Sequence, residues 1–239
     1  MIFIGIVDPL ISKDNLGLKQ QLEWIKEYCN KNGMRPPMVE IYKTRDDQGN
    51  QEDISNKITD LLKSILLNNR YLNESVYLYV NTHGITEEQG ESLELNKKSY
   101  IPDSVITALF YNNKVKHLTV FFECCHSGGF FQKSENHIIK TKRFMLIPGY
   151  NYCLDESGFY NLERNNILVF NTSLQEQKSY QMSNEGNQEG IGLATLKLKE
   201  LKKNIFEEPP EFICQWLNKQ IGEEQYSNIQ TTKFIPKWF

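Results

Sequence analysis

The chain has 239 residues, 39% of them hydrophobic and 24% charged, with 27 basic and 30 acidic side chains for a formal net charge of −3. That length supports a substantial core, and the composition is that of a globular protein rather than a fibrous or disordered one. The small negative charge removes the electrostatic ground for a nucleic-acid or anionic-membrane partner.

The elements follow in chain order. Met1 to Val7 is apolar but lacks a preceding basic region and stops at Asp8, too short for a signal peptide or a membrane span, so it is predicted as the first core strand. Leu18, Leu22, Ile25 and Cys29 have the spacing of a helix with one buried face over Leu16 to Asn30, ended by Gly33. Met38 to Lys43 reads as a second strand. Ile54, Ile58, Leu61, Leu62 and Ile65 mark a second amphipathic helix, and Ser75 to Thr82 a third strand ending at His83-Gly84. A polar stretch, Glu87 to Lys98, precedes a helix opened by Pro102-Asp103, with Val105, Ile106, Leu109 and Phe110 inward.

The run His117 to Phe122 is a further strand and ends in Glu123-Cys-Cys-His-Ser-Gly-Gly129. The connection 130 to 165 is long for a loop, with an apolar patch at Phe144 to Ile147 that suits an extra strand or hairpin. Asn166 to Asn171 is the next strand. Two helices follow, one with Ile191, Ala194, Leu198 and Leu201 at helical spacing, the other begun by Pro209-Pro210. Ile229 to Phe239 is expected to close the sheet as an edge strand. Alternation of strands and helices without a linker or repeat predicts one α/β domain over residues 1–239. It is a three-layer αβα sandwich around a mostly parallel sheet of about six strands.

Five cysteines, Cys29, Cys124, Cys125, Cys153 and Cys214, are an odd number without framework spacing, which suits reduced thiols in the cytoplasm. In an open parallel sheet the ligand crevice lies beyond the carboxyl ends of the strands, which is where His83 and Cys125 fall. An imidazole that takes the thiol proton, or stabilises the thiolate, makes a nucleophile of Cys125. The backbone N–H groups of Gly84 and Cys125 are candidate oxyanion donors. Side chains on a strand alternate, so Phe121, Glu123 and Cys125 share one face while Val120, Phe122 and Cys124 share the other. Glu123 would then lie beneath the nucleophile and favour a basic group on the substrate.

A strand ending in His-Gly, followed about forty residues later by a strand ending Glu123-Cys-Cys-His-Ser-Gly128, resembles the caspase-like cysteine peptidases: caspases, metacaspases and legumain. The closest likeness is to metacaspase catalytic domains, whose usual first residue in that motif is Asp; legumain-type enzymes carry Glu. The resemblance implies a bare catalytic domain, a cysteine endopeptidase with Cys125 as nucleophile, His83 as base and acid, and Gly84 as oxyanion donor. It puts Glu123 in the specificity pocket with a second acid near the end of the first strand, either Asp8 or Asp14. Cleavage after Arg or Lys is favoured, with Asn, as in legumain, an alternative. Gly129 to His137 offers only Glu135 of the acids a calcium site of this family uses, which argues against calcium activation, and no other cofactor is implied. Lys140, Lys142 and Arg143 are candidate cut points for self-processing. The expected partner is a protein or peptide substrate, with a regulatory protein partner open beside it and no nucleic acid or membrane.

Other classes compete. Cys124 is expected in the core and His126 in a supporting role. A zinc site from His83, Cys124, Cys125 and His126 fails because adjacent strand residues point apart and the C-x2-C spacing is missing. A serine nucleophile at Ser127 lacks the glycine two residues before it. An inactive caspase-shaped binding module predicts loss of His83 or Cys125, both of which are present. A redox switch through Cys124 and Cys125 predicts sensitivity to oxidant without cleavage.

Overall fold

The computed structural model describes residues 1–9, 16–45, 52–87, 90–125, 127, 142–147, 150–155, 166–173, 181–183, 190–221, 225–231 and 238–239. Its backbone is an eight-stranded sheet. Five parallel strands form the body: β1 (Ile2–Val7), β2 (Met38–Lys43), β3 (Ser75–Asn81), β7 (His117–Phe122) and β10 (Asn166–Asn171), ordered β2-β1-β3-β7-β10. The sixth strand, β13 (Asn228–Thr231), pairs antiparallel to β10, and between the two in the chain β11 (Gln181–Ser183) and β12 (Gly190–Gly192) form a separate antiparallel pair. The hairpin of β8 (Lys142–Ile147) and β9 (Tyr150–Asp155) then extends the sheet beyond β13. The apolar patch in the long connection is therefore strand β8. It also turns β13, expected at the edge, into an interior strand.

The central strands are apolar on both faces because helices cover both. On one face Ile2, Ile4, Ile6, Val76, Leu78, Val80, Leu118, Val120, Phe122 and Cys124 meet α2 (Ser55–Leu66) and α3 (Asp103–Tyr111). On the other, Phe3, Tyr77, Tyr79, Phe121 and Phe170 meet α1 (Leu16–Lys31), α4 (Leu193–Glu200) and α5 (Pro210–Ile221). This second layer is aromatic. Phe121 stacks on Phe170 at 5.0 Å, Phe170 on Trp238 at 5.9 Å, and Trp238 meets Phe206 edge-on at 5.3 Å. Trp238 is pinned there by its indole N–H, which donates to the Glu208 carbonyl at 2.8 Å, and by its own carbonyl, which accepts from Thr119. By contrast β2 has one neighbour only, and Met38, Val39 and Ile41 are exposed as on an edge strand.

Glu87 and Gly90 to Asn96, expected within a polar connection, belong to a second small sheet. β4 (His83–Glu87), β5 (Gly90–Asn96) and β6 (Ser99–Pro102) form an antiparallel meander. The alternation Leu93-Glu94-Leu95 puts both leucines into the α2/α3 core, and the charged neighbours masked that pattern. Among the described residues no helix is long and apolar enough to cross a membrane.

Candidate active site

The five parallel strands end level. Val7 pairs with Asn81, and the Asp8 N–H donates to the Asn81 carbonyl at 2.9 Å. Val80 pairs with Phe122, and the Glu123 N–H donates to the Val80 carbonyl at 2.8 Å. Phe122 in turn pairs with Asn171, and the Thr172 N–H donates to the Phe122 carbonyl at 3.1 Å. The regular β3–β7 ladder stops at the Val80–Phe122 pair, and His83 and Cys125 each lie three residues beyond it. The approach of the two segments there is marked by Gly84. A Cβ on Gly84 would collide with the carbonyl oxygen of Cys125, so only glycine lets the start of β4 lie against the backbone of Cys125. His83 is exposed and Cys125 half-buried, so both are within reach of solvent at this edge.

The alternation along β7 continues past its last paired residue. Cys124 is 1% exposed and belongs to the α2/α3 core; burial, then the neighbouring charges, pushes its thiol well above the ordinary range, leaving it inert. Cys29, Cys124, Cys125 and Cys214 are all thiols. Past Cys125 the chain is held by the end of β10. The Ser173 hydroxyl donates to the Cys124 carbonyl at 3.0 Å, the Ser127 N–H donates to the Ser173 Oγ at 3.2 Å, and the Ser173 N–H donates to the Ser127 Oγ at 3.2 Å.

Glu123 points to the α1/α4 side and is 1% exposed. Its Oε1 accepts the Thr195 N–H at 2.8 Å; its Oε2 accepts the Thr195 hydroxyl at 2.7 Å and the Tyr79 hydroxyl at 2.6 Å. Thr195 lies in the first turn of α4, whose N-cap residue, Gly192, has no side chain to cap it. Glu123 supplies the missing acceptor from a distant strand, at the positive end of the helix dipole. A Cβ on Gly192 would overlap the carboxyl group, which explains the glycine. Burial raises the Glu123 carboxyl above its ordinary pKa, against the hydrogen bonds from Tyr79 and Thr195, which lower it.

Asp8 is equally enclosed. Both its carboxylate oxygens lie 3.0 Å from the Nε of Arg45, and the two side chains are 0% and 4% exposed. Among the described residues the buried Arg45 Nη1 has no hydrogen-bond partner. Thus Gly84 packs on the backbone of Cys125 with His83 next to it in the chain, Glu123 lies beneath with internal partners, and Asp8 sits at the neighbouring strand end held by Arg45. Asp14, His126, Gly128, Glu135 and Lys140 lie outside the described residues. Lys142 and Arg143 are in β8, their backbone paired with β13, a poor presentation for cutting. Among the described residues no group of three or more His, Cys, Asp or Glu side chains is placed to hold a metal ion.

Sequence reasoning missed Tyr79, Thr195, Ser173 and Arg45. Tyrosines at alternate positions of a core strand were a usable signal, since a buried hydroxyl needs a partner. Arg45 carried none, because it adjoins the acidic pair Asp46-Asp47 and looks like part of a solvated loop.

No family model matches the sequence, and no curated protein does. Solved structures do. Protein GSU0716 from Geobacter sulfurreducens is similar with a TM-score of 0.55 and 14% identity, over 96% of this chain and 92% of that one. The Drosophila initiator caspase Dronc is similar with a TM-score of 0.51 and 11% identity, over 99% of this chain and 81% of that one. Caspase-1 from Spodoptera frugiperda has a TM-score of 0.53 and 11% identity, over 99% and 87%. The chain has the caspase-like α/β fold. At such identities the likeness speaks for the fold alone.

Proposed function

We propose that this chain is a cysteine endopeptidase acting through Cys125 and His83. The observation that carries the reading is the packing of Gly84 against the backbone of Cys125, just beyond the level ends of β3 and β7. In the proposed reaction the Cys125 thiol gives its proton to His83 as its sulfur attacks the scissile carbonyl, and the N–H groups of Gly84 and Cys125 receive the developing oxyanion. His83 then protonates the leaving amine and later takes a proton from the water that cleaves the acyl-enzyme. This chemistry needs no cofactor. Its substrate is a peptide or protein, and the cytoplasm, where the thiols stay reduced, is the proposed setting.

For the residue before the cut, acids at two neighbouring strand ends favour Arg or Lys over Asp. Both acids already hold internal donors, so a substrate cation has to exchange with Arg45 at Asp8, while Glu123 keeps Thr195 and Tyr79 and adds its charge from beneath. An exchange of one charge-assisted hydrogen bond for another leaves little net gain, so the expected preference over Asn is modest, about tenfold or less. Wild type and Cys125→Ala are compared on fluorogenic peptides ending in Arg, Lys, Asn or Asp. Equal rates for the two proteins sink the mechanism; a preference for Asp sinks the part given to the acids.

A further inference from the structure

We infer that Glu123 is a positioning residue, clamping the ends of β3 and β7 and the start of α4 so that Cys125 and His83 keep their spacing; the inference rests on the peptidase reading. The regular ladder between the two strands stops at the Val80–Phe122 pair. Both reacting residues lie beyond it, where backbone pairing no longer sets their place. Side chains do so instead. Glu123 stands two residues before Cys125, and the Tyr79 hydroxyl that it holds accepts from Asn81 Nδ2 at 3.0 Å, two residues before His83. One carboxylate therefore grips both strands just behind the chemistry.

The clamp is anchored across the layer. The Thr195 hydroxyl, which donates to Glu123, accepts from Gln21 Nε2 at 3.2 Å, and Gln21 Oε1 accepts from the Tyr77 hydroxyl at 2.7 Å. Each of these bonds joins a donor to an acceptor, and the six residues belong to α1, α4, β3 and the end of β7. In a buried layer such a chain has discrete arrangements rather than a continuum, so losing one link lets the strand ends shift. A displacement near 1 Å in a reacting group is enough to lower a rate by about a hundredfold.

The test uses Glu123→Gln, Thr195→Val and Thr195→Ser, with urea midpoints recorded to confirm folding. Two readouts are taken: kcat and KM on the peptide panel, and the pH dependence of Cys125 alkylation by iodoacetamide. Glu123→Gln and Thr195→Val should lower kcat at least about tenfold on every peptide, leave KM within about twofold, and displace the alkylation profile. Thr195→Ser, which keeps the hydroxyl, should behave as wild type. A rise in KM confined to Arg and Lys peptides would make Glu123 a substrate-binding acid and overturn the inference, as would equal losses in the Ser and Val variants. If wild type cleaves no peptide yet Cys125 still alkylates selectively, the peptidase reading fails alone, and an alkylation profile unmoved in Glu123→Gln then overturns the positioning role as well. A Cys125 without selective reactivity overturns both.

Discussion

Removing the carboxylate of Asp8 should expose how tightly the strand-end acids are committed to the fold. With side chains 0% and 4% exposed, the Asp8–Arg45 pair falls outside the surface class, where an ion pair contributes about 1 kcal/mol or less. Asp8→Asn leaves the Arg45 guanidinium buried without a counter-charge among the described residues, which costs about 3–5 kcal/mol. The lower half of that range is expected, because a single Nε–H is shared between two oxygens and Nη1 is already without a partner. For a chain of this size 1 kcal/mol moves the midpoint by about 2–4 °C, so the melting temperature should fall by about 6–16 °C. Replacing both members with apolar residues of similar volume, Asp8→Leu with Arg45→Met, should bring stability back to within about 1 kcal/mol of wild type or above it. Urea unfolding followed through the fluorescence of buried Trp24 and Trp238 measures all three proteins. A loss below about 1 kcal/mol in Asp8→Asn would refute the argument: the pair would then be solvated, and Asp8 available to substrate without exchange.

Gly84→Ala drives a methyl group into the backbone carbonyl of Cys125, which cannot swing aside as a side chain would. It should cost about 1–3 kcal/mol and abolish both cleavage and the selective alkylation of Cys125; a fully active alanine variant would show that the two segments do not pack as described. Glu123 makes a pH prediction with a definite sign. Its folded pKa is raised, so the stability linked to its protonation is fully present below its ordinary, unfolded pKa and is lost as pH rises through the folded value. The stability of wild type relative to Glu123→Gln should therefore decrease as pH rises above the ordinary carboxylate range, and urea midpoints that diverge in the opposite direction would contradict the upward shift.

Much of the sheet was legible because runs such as Ser75 to Asn81 and His117 to Phe122 are apolar on both faces, which only a covered parallel strand requires. The periodicity of α1, α2 and α3 was equally direct, since one face of each is buried. The meander of β4, β5 and β6 was obscured because Glu91 and Glu94 interrupt the apolar residues of β5, although Glu91 is itself buried. The interior position of β13 was out of reach: its pairing with β8 joins residues more than eighty apart.

Local sequence determined the chemical types at the strand ends, with His83-Gly84 on one and Glu123 to Cys125 on another, and the alternation that sends Cys124 to one core and Glu123 to the other. What those groups do was decided by tertiary structure. Whether a carboxylate at a strand end is offered to a substrate or bound within the fold depends on what the chain brings against it from far away. Here Thr195 and Tyr79 take Glu123, and Arg45 takes Asp8. A buried charge must be met by donors, and no short-range pattern in the sequence names the donors that will arrive.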